Sequence, residues 1–244
     1  MIETIRIGFT NIYLLPCKGG YLMVDTSYAG RFREFIRKLE RRRIHISEVR
    51  YLFLTHHHDD HAGFAEDLRQ TNPAIRLIVH AEAVDFLKTG MPEPGDFPLN
   101  KRVALVIFLF NHLMKVRQDW SFPPVHLRED DMLLRGDDPQ LLPSLGIDGT
   151  ILYTPGHTKD SLTILLADGS ALVGDLAMDL LPLCGCAYRP IYISDLAEVY
   201  RSWEKILRHG AKTIYAGHAG KPFGADKLAR TMKRCPVQKR RTPV

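Results

Sequence analysis

The sequence predicts a mixed α/β protein, on three observations. Short apolar runs of strand length recur along the chain and alternate with stretches whose apolar residues fall at helical spacing. Hairpin turn signals, Lys18-Gly19-Gly20 and Asp168-Gly169, join neighbouring runs in both halves. With 244 residues, 45% hydrophobic and 25% charged, the chain suits one large domain, 1–244, without room for a second full one.

In chain order, residues 2–25 read as three short strands, Ile2–Ile7, Ile12–Leu15 and Tyr21–Val24. From Arg31 to Arg43, Phe32, Phe35, Ile36 and Leu39 form one helical stripe with a basic wet face around it. Val49–Leu54 is a strand, a short helix runs from Gly63 to about Gln70, Ile75–Val79 is a buried strand, and Ala81–Lys88 is a helix. Residues 91–124 break the alternation: a proline-rich stretch to Pro98 precedes a helix from Lys101 to Arg117 that carries the unbroken apolar octet Val103–Phe110 between basic ends. The octet and its flanks fall short of the roughly twenty residues a membrane span needs. The segment is therefore expected to be buried or covered by a partner, as a lid over the site or a dimer contact, or simply packed on the body.

Val125–Leu127, Met132–Leu134, Ile147–Tyr153, Leu162–Leu166, Ala171–Val173 and Thr213–Tyr215 read as the later strands. Met178–Ile193 is a second irregular insertion, with Cys184 and Cys186 in it. Asp195 with Glu198 marks a helix start, continued by Leu196, Val199, Tyr200, Trp203, Ile206 and Leu207 and stopped at Gly210. Phe223–Cys235 is the last predicted helix.

Charge and cysteine usage narrow the classes. The formal charge is +5, but residues 221–244 hold eight Lys/Arg against the single acid Asp226, a local +7 that leaves −2 for the rest. Basicity is thus a property of the tail, and a solvated helix and end account for it better than a nucleic-acid footprint. Four cysteines, Cys17, Cys184, Cys186 and Cys235, do not make a disulfide framework, so reduced thiols are expected. The N-terminus shows no basic segment followed by a long apolar one, and a cytoplasmic location is the default expectation.

The chemistry concentrates in Thr55-His56-His57-His58-Asp59-Asp60-His61-Ala62-Gly63, directly after Tyr51–Leu54. Read as His56-x-His58-x-Asp60-His61, it offers three imidazoles and a carboxylate, ligand types that suit zinc, iron or manganese. Residues two apart at a strand end point the same way, so His56 and His58 can hold one ion while Asp60 and His61, further round the turn, face a second. A polar surface turn would not need four histidines and two acids in six residues. Downstream, Pro155-Gly156 forces a turn that puts His157 on a loop, and Asp175 emerges from the end of a strand.

With this turn, followed in order by Thr154-Pro155-Gly156-His157-Thr158, Val173-Gly174-Asp175 and Ala216-Gly217-His218, the chain resembles the metallo-β-lactamase superfamily over nearly its whole length. The resemblance implies a four-layer αββα sandwich with a helical insertion and the metals at one edge. It implies two divalent ions, with zinc the first expectation and iron or manganese alternatives: His56, His58 and His157 on the first, Asp60, His61 and His218 on the second, Asp175 bridging. It also suggests Asp60 as a catalytic proton acceptor. In size the chain is similar to glyoxalase II and lactonase-like members, but Lys159-Asp160-Ser161 departs from the Gly-His those subfamilies usually carry after His-Thr, so the subfamily stays open.

A paired site of this kind makes hydrolysis the expected reaction, on a small-molecule ester-like bond such as a thioester, lactone or other carboxylic ester. The apolar insertion leans toward a substrate with an apolar part. A phosphodiesterase, an iron-dependent redox enzyme on the same fold, and a binding protein with a silent site are the alternatives.

Overall fold

The computed structural model describes residues 2–91, 97–114 and 120–237. Two sheets form the body. The first, in spatial order, contains β1 (Glu3–Ile7), β2 (Thr10–Cys17), β3 (Gly20–Val24), β4 (Val49–Phe53), β5 (Arg76–His80) and β7 (Met132–Leu134), antiparallel through β1-β2-β3 and parallel from β3 to β7. The second is ordered β13 (Phe223–Gly224), β12 (Thr213–Ala216), β10 (Ser170–Gly174), β9 (Leu162–Leu166) and β8 (Gly149–Tyr153). A third ribbon pairs β6 (Phe97–Pro98) with β11 (Tyr192–Ile193).

Alternation along each strand sends side chains to two different cores, and this makes the layers. Tyr13, Leu15, Leu22, Val24, Phe53 and Ile78 of the first sheet meet Ile151, Leu162, Ile164 and Leu172 of the second. The opposite faces of the first sheet, with Leu14, Met23, Leu52 and Leu77, pack on α1 (Phe32–Glu40), α3 (Ala65–Thr71) and α4 (Val84–Thr89) through Phe35, Leu39, Leu68 and Leu87. The outer face of the second sheet packs Leu152, Leu165, Ala171, Val173 and Ile214 on α7 (Leu196–Arg208) and α8 (Asp226–Arg234) through Val199, Trp203, Ile206 and Leu228. Three cores between four layers give the αββα sandwich that the resemblance implied.

Several boundaries differ from the sequence reading. Val125–Leu127 is not a strand. Its backbone is satisfied elsewhere: Val125 N donates to Leu87 O at 2.8 Å, His126 N to Glu66 Oε2 at 3.2 Å, and the buried Arg69 donates to His126 O at 3.0 Å. Phe223–Gly224 is a short strand on β12, and α8 begins only at Asp226. The turn of residues 55–63 contains a one-turn helix, α2 (Asp59–Ala62), and α6 (Leu141–Ser144) is an unforeseen element. The helix read as Lys101–Arg117 is α5, described over Lys101–Met114, with 115–117 outside the described residues. Its octet is not buried in the body: Val103 is enclosed, whereas Leu105, Phe108, Leu109 and Phe110 are exposed. The four cysteines are free.

Candidate metal centre

The seven residues singled out by sequence come together at one edge of the sandwich. β4 ends at Phe53, and Leu54 N still bonds to Ile78 O at 3.0 Å, so the chain leaves the sheet with His56 and His58 at its rim. His58 serves as the N-cap of α2, whose turn places Asp60 and His61 next to them. β10 delivers Asp175, β12 leads to His218, and His157 sits on the loop after β8.

Three imidazole nitrogens converge: His56 Nε2 to His58 Nδ1 is 3.2 Å, His157 Nε2 to His56 Nε2 is 3.2 Å, and His157 Nε2 to His58 Nδ1 is 3.1 Å. Zn–N bonds of about 2.0–2.1 Å at tetrahedral angles would hold ligand nitrogens about 3.3–3.4 Å apart, so this triangle fits one ion. A second trio lies beside it, with His218 Nε2 at 2.8 Å from Asp60 Oδ2 and His61 Nε2 at 3.7 Å from Asp60 Oδ1. Asp175 stands between the two, Oδ1 at 3.2 Å from His61 Nε2, and Oδ2 at 3.4 Å from His218 Nε2 and 3.8 Å from His157 Nε2. His61 Nε2 and Asp175 Oδ1 are buried and face one another without hydrogen-bonding geometry. Buried polar atoms are rarely left so, and a cation between them would satisfy both.

Behind this cluster each of four imidazoles has an oxygen partner on its far side. His61 Nδ1 lies 2.9 Å from Asp25 Oδ2, His157 Nδ1 2.9 Å from Tyr192 O, His218 Nδ1 2.9 Å from Phe9 O, and His56 Nδ1 3.0 Å from Thr55 Oγ1. A carbonyl or carboxylate partner requires the Nδ1 proton, which leaves the Nε2 lone pair aimed inward and fixes the tautomer. Thr55 donates to both Asp25 oxygens, N to Oδ1 at 2.7 Å and Oγ1 to Oδ2 at 2.8 Å. Asp25 is held at φ 61°, a left-handed conformation unusual for a non-glycine, at the end of β3. Gly217 shows how tightly the pieces meet: a Cβ there would lie 2.6 Å from His61 Cε1 and 2.7 Å from Asp175 Oδ1.

The electrostatics are those of a cation site. Burial by itself would raise the Asp175 and Asp60 pKa values, but the surrounding histidines outweigh it, holding Asp175 at about 2 and Asp60 lower still. Burial would lower His218, but Asp175 and Asp60 raise it to about 9, and His61 is raised well above its ordinary value in the same way. For His56 the balance goes the other way, and burial followed by its neighbouring imidazoles, His61 first, holds it well below the ordinary histidine value. Asp59, not singled out as a ligand, is pushed up to about 7 by burial and by the Asp60 charge.

Sequence reasoning did not find the supporting groups. Asp25 stood at a strand end with nothing to mark it. Phe9 and Tyr192 contribute backbone oxygens, which no side-chain pattern reveals. Tyr28 lies near the turn, and its hydroxyl pKa is driven up, first by burial and then by the Asp60 and Asp59 charges. His57, read as a spacer, is buried, stacks on Phe86 with ring centroids 4.3 Å apart, and sits 2.9 Å from Asp160 Oδ1. The Cys184-Gly-Cys186 segment contributes no ligand: burial, then Cys184, pushes the Cys186 thiol up to about 11, so it is an uncharged thiol at neutral pH.

Two face-to-face sheets under outer helices, with a histidine and aspartate cluster at their edge, define a metal-dependent hydrolase fold. The model of the metallo-beta-lactamase superfamily matches residues 5–218, and the chain belongs to that family. A metallo-beta-lactamase family protein from Thermus thermophilus superposes with a TM-score of 0.65 at 23% identity, covering 96% of this chain and 77% of that one. BJP-1, a subclass B3 metallo-beta-lactamase of Bradyrhizobium japonicum, gives 0.63 at 16% identity, covering 96% and 87%. At these identities the likeness is one of fold. The lactamase-like protein aptB of Emericella nidulans is 35% identical over 82 residues, 33% of this chain, and the match spans only 26% of that longer relative.

Proposed function

We propose that this chain is a dinuclear metal hydrolase acting on a carboxylic-ester-type bond, a thioester, lactone or simple ester, in a small molecule. The observation that carries the reading is the pair of ligand trios sharing Asp175. His56, His58 and His157 would hold one divalent ion and Asp60, His61 and His218 the other, with Asp175 between them. Zinc is favoured, because three imidazoles in a tetrahedral arrangement and a mixed carboxylate–imidazole set are its common ligands.

Two such ions, when bound, lower the pKa of a shared water toward roughly 7 and polarise the substrate's carbonyl oxygen. The chain's own residues do the rest. Asp60, kept ionised by His61 and His218, is the carboxylate placed to take a proton as the bond breaks. Asp25, Thr55 and the carbonyls of Phe9 and Tyr192 hold the imidazoles so that little reorganisation is needed during reaction. The mild negative charge of the chain before residue 221 favours a neutral ester over a polyanionic phosphodiester.

The test is turnover of purified, zinc-reconstituted protein on a thioester, a lactone and bis-p-nitrophenyl phosphate, with Asp60→Asn alongside. Ester-type cleavage that Asp60→Asn removes is expected. Cleavage of the phosphodiester alone would overturn the bond assignment, and no cleavage of any of the three would overturn the hydrolase reading for these classes.

A further inference from the structure

We propose that the outward face of α5 is a docking surface for an anionic lipid bilayer, on which the helix lies flat. Lys101, Leu105, Phe108, Leu109, His112 and Leu113 recur at i, i+4, i+7, i+8, i+11 and i+12, one stripe of the helix, and all are exposed. Phe108 is 64% exposed and Leu113 76%. A soluble helix normally turns such a stripe inward; here the apolar face is the one turned out.

The helix is held in that orientation rather than loosely tethered. Asn100 caps it, Oδ1 accepting from Arg102 N at 2.9 Å and Val103 N at 3.0 Å. Asn100 Nδ2 also donates to Cys184 O at 3.1 Å, and Val103 is fully enclosed. Just before it, β6 pairs with β11, whose Tyr192 carbonyl supports His157. The contact with Cys184 ties α5 to the turn Pro182–Cys184, whose Leu183 is 95% exposed, a second apolar side chain on the same anchored unit.

Charge selects the occupant. Between Phe97 and Gln118 the sequence has no acidic residue, and Lys101, Arg102, Lys115 and Arg117 flank the apolar stretch at both ends. A second copy of this helix packed against the first would bring like charges together. A bilayer with anionic headgroups meets both requirements: the apolar stripe enters the acyl boundary while the exposed Lys101 and Arg102 reach the phosphates. The described residues Lys101–Met114 span about 21 Å, and a sequence that is basic at both ends of the stripe suits one depth, parallel to the surface. No described helix is long and apolar enough to cross a membrane.

The experiment is sedimentation of the full chain with vesicles of phosphatidylcholine containing about a quarter phosphatidylserine, at about 1 mM accessible lipid and physiological salt, against vesicles of phosphatidylcholine alone. The wild-type protein is expected to pellet with the anionic vesicles and stay largely in solution with the neutral ones. Phe108→Ser with Leu113→Ser should lower the partition coefficient at least tenfold, and Lys101→Gln with Arg102→Gln about twenty-fivefold, taking about fivefold for each charge near an anionic surface. Circular dichroism should be unchanged in both, since the side chains are exposed. Protein that ignores both vesicle types, or binds them equally, overturns the proposal. A dimer in light scattering that Phe108→Ser with Leu113→Ser converts to monomer, without vesicle binding, would assign the face to a second copy instead.

Discussion

The ligand turn and α5 are the two stretches where this sequence departs most from ordinary globular patterning, and the structure treats them in opposite ways. The turn from Thr55 to Ala62 is polar yet buried, with His56, His57 and His61 almost fully enclosed and each matched to a hydrogen-bond partner. α5 is apolar yet exposed, held at its N-terminal end by Asn100 and Val103 and open along its outer stripe. Burying polar groups is costly unless they are satisfied, and leaving apolar ones in water is costly unless something covers them. The two departures rest on different grounds: the turn's buried polar groups find most of their partners within the chain, whereas the outer stripe of α5 finds no apolar cover among the described residues.

If the turn is over-determined for metal, removing the shared carboxylate should have the largest effect of all. Asp175→Ala is expected to lower turnover by at least about a thousandfold, since it strips charge from both trios. Circular dichroism should stay native because the three apolar cores do not include the Asp175 side chain. Loss of activity together with unfolding would make the cluster a structural element and dissolve the contrast with α5.

The support behind the ligands predicts a smaller loss. Asp25→Ala removes the oxygen partner of His61 Nδ1 and both acceptors of Thr55 without touching a ligand, and should weaken metal affinity by about 10–100-fold. Competition with a chromophoric chelator measures it. An unchanged affinity would show that the imidazoles are held by packing alone.

Metal uptake should also depend on pH. In the metal-free chain His218 titrates at about 9, so at pH 7 it carries a proton that an ion must displace. Affinity at that site should rise with pH from 7 upward, because His218 and the raised His61 must both give up a proton to an ion there, with protons released into weak buffer. The sign for stability is opposite. Because the folded pKa is raised above the ordinary histidine value of 6.5, the carboxylate contacts of His218 stabilise the metal-free fold fully below that value, and the contribution is lost as pH climbs through about 9. Isothermal titration in two buffers of different ionisation enthalpy checks the proton count; no release would contradict the protonation state assigned here.

The smallest effect belongs to α5. Phe108→Ser should change unfolding free energy in vesicle-free solution by no more than about 0.5 kcal/mol, whereas Phe53→Ala, in the core between the sheets, should cost about 3–5 kcal/mol. A large loss at Phe108 would mean the helix is packed on the body in solution.

These two regions also mark what could be read from the chain. His56, His58, Asp60 and His61 were legible because their spacing within one turn encodes their direction, and the alternation of strand and helix gave the α/β class. Asp25 was not, because it meets His61 only through the parallel pairing of β3 with β4. The carbonyl of Phe9 reaches His218 across 209 positions, a contact no local pattern carries. Val125–Leu127 looked like a strand by composition, but its hydrogen bonds go to Leu87, Glu66 and Arg69, and composition does not say where a backbone finds its partners. In α5 the octet was plain, but whether a lid, a dimer contact or packing on the body covers it was not, because apolarity says that a face wants cover without naming its source; the structure encloses Val103 and leaves the outer stripe exposed.

The central claim is that seven side chains from four separate stretches form one paired cation site. Elemental analysis of the protein after removal of metal and reconstitution with zinc tests it most directly. Two ions per chain are predicted for the wild type, with Asp175→Ala holding fewer under the same wash. One ion or none in the wild type, in protein that is folded by circular dichroism, would contradict the account.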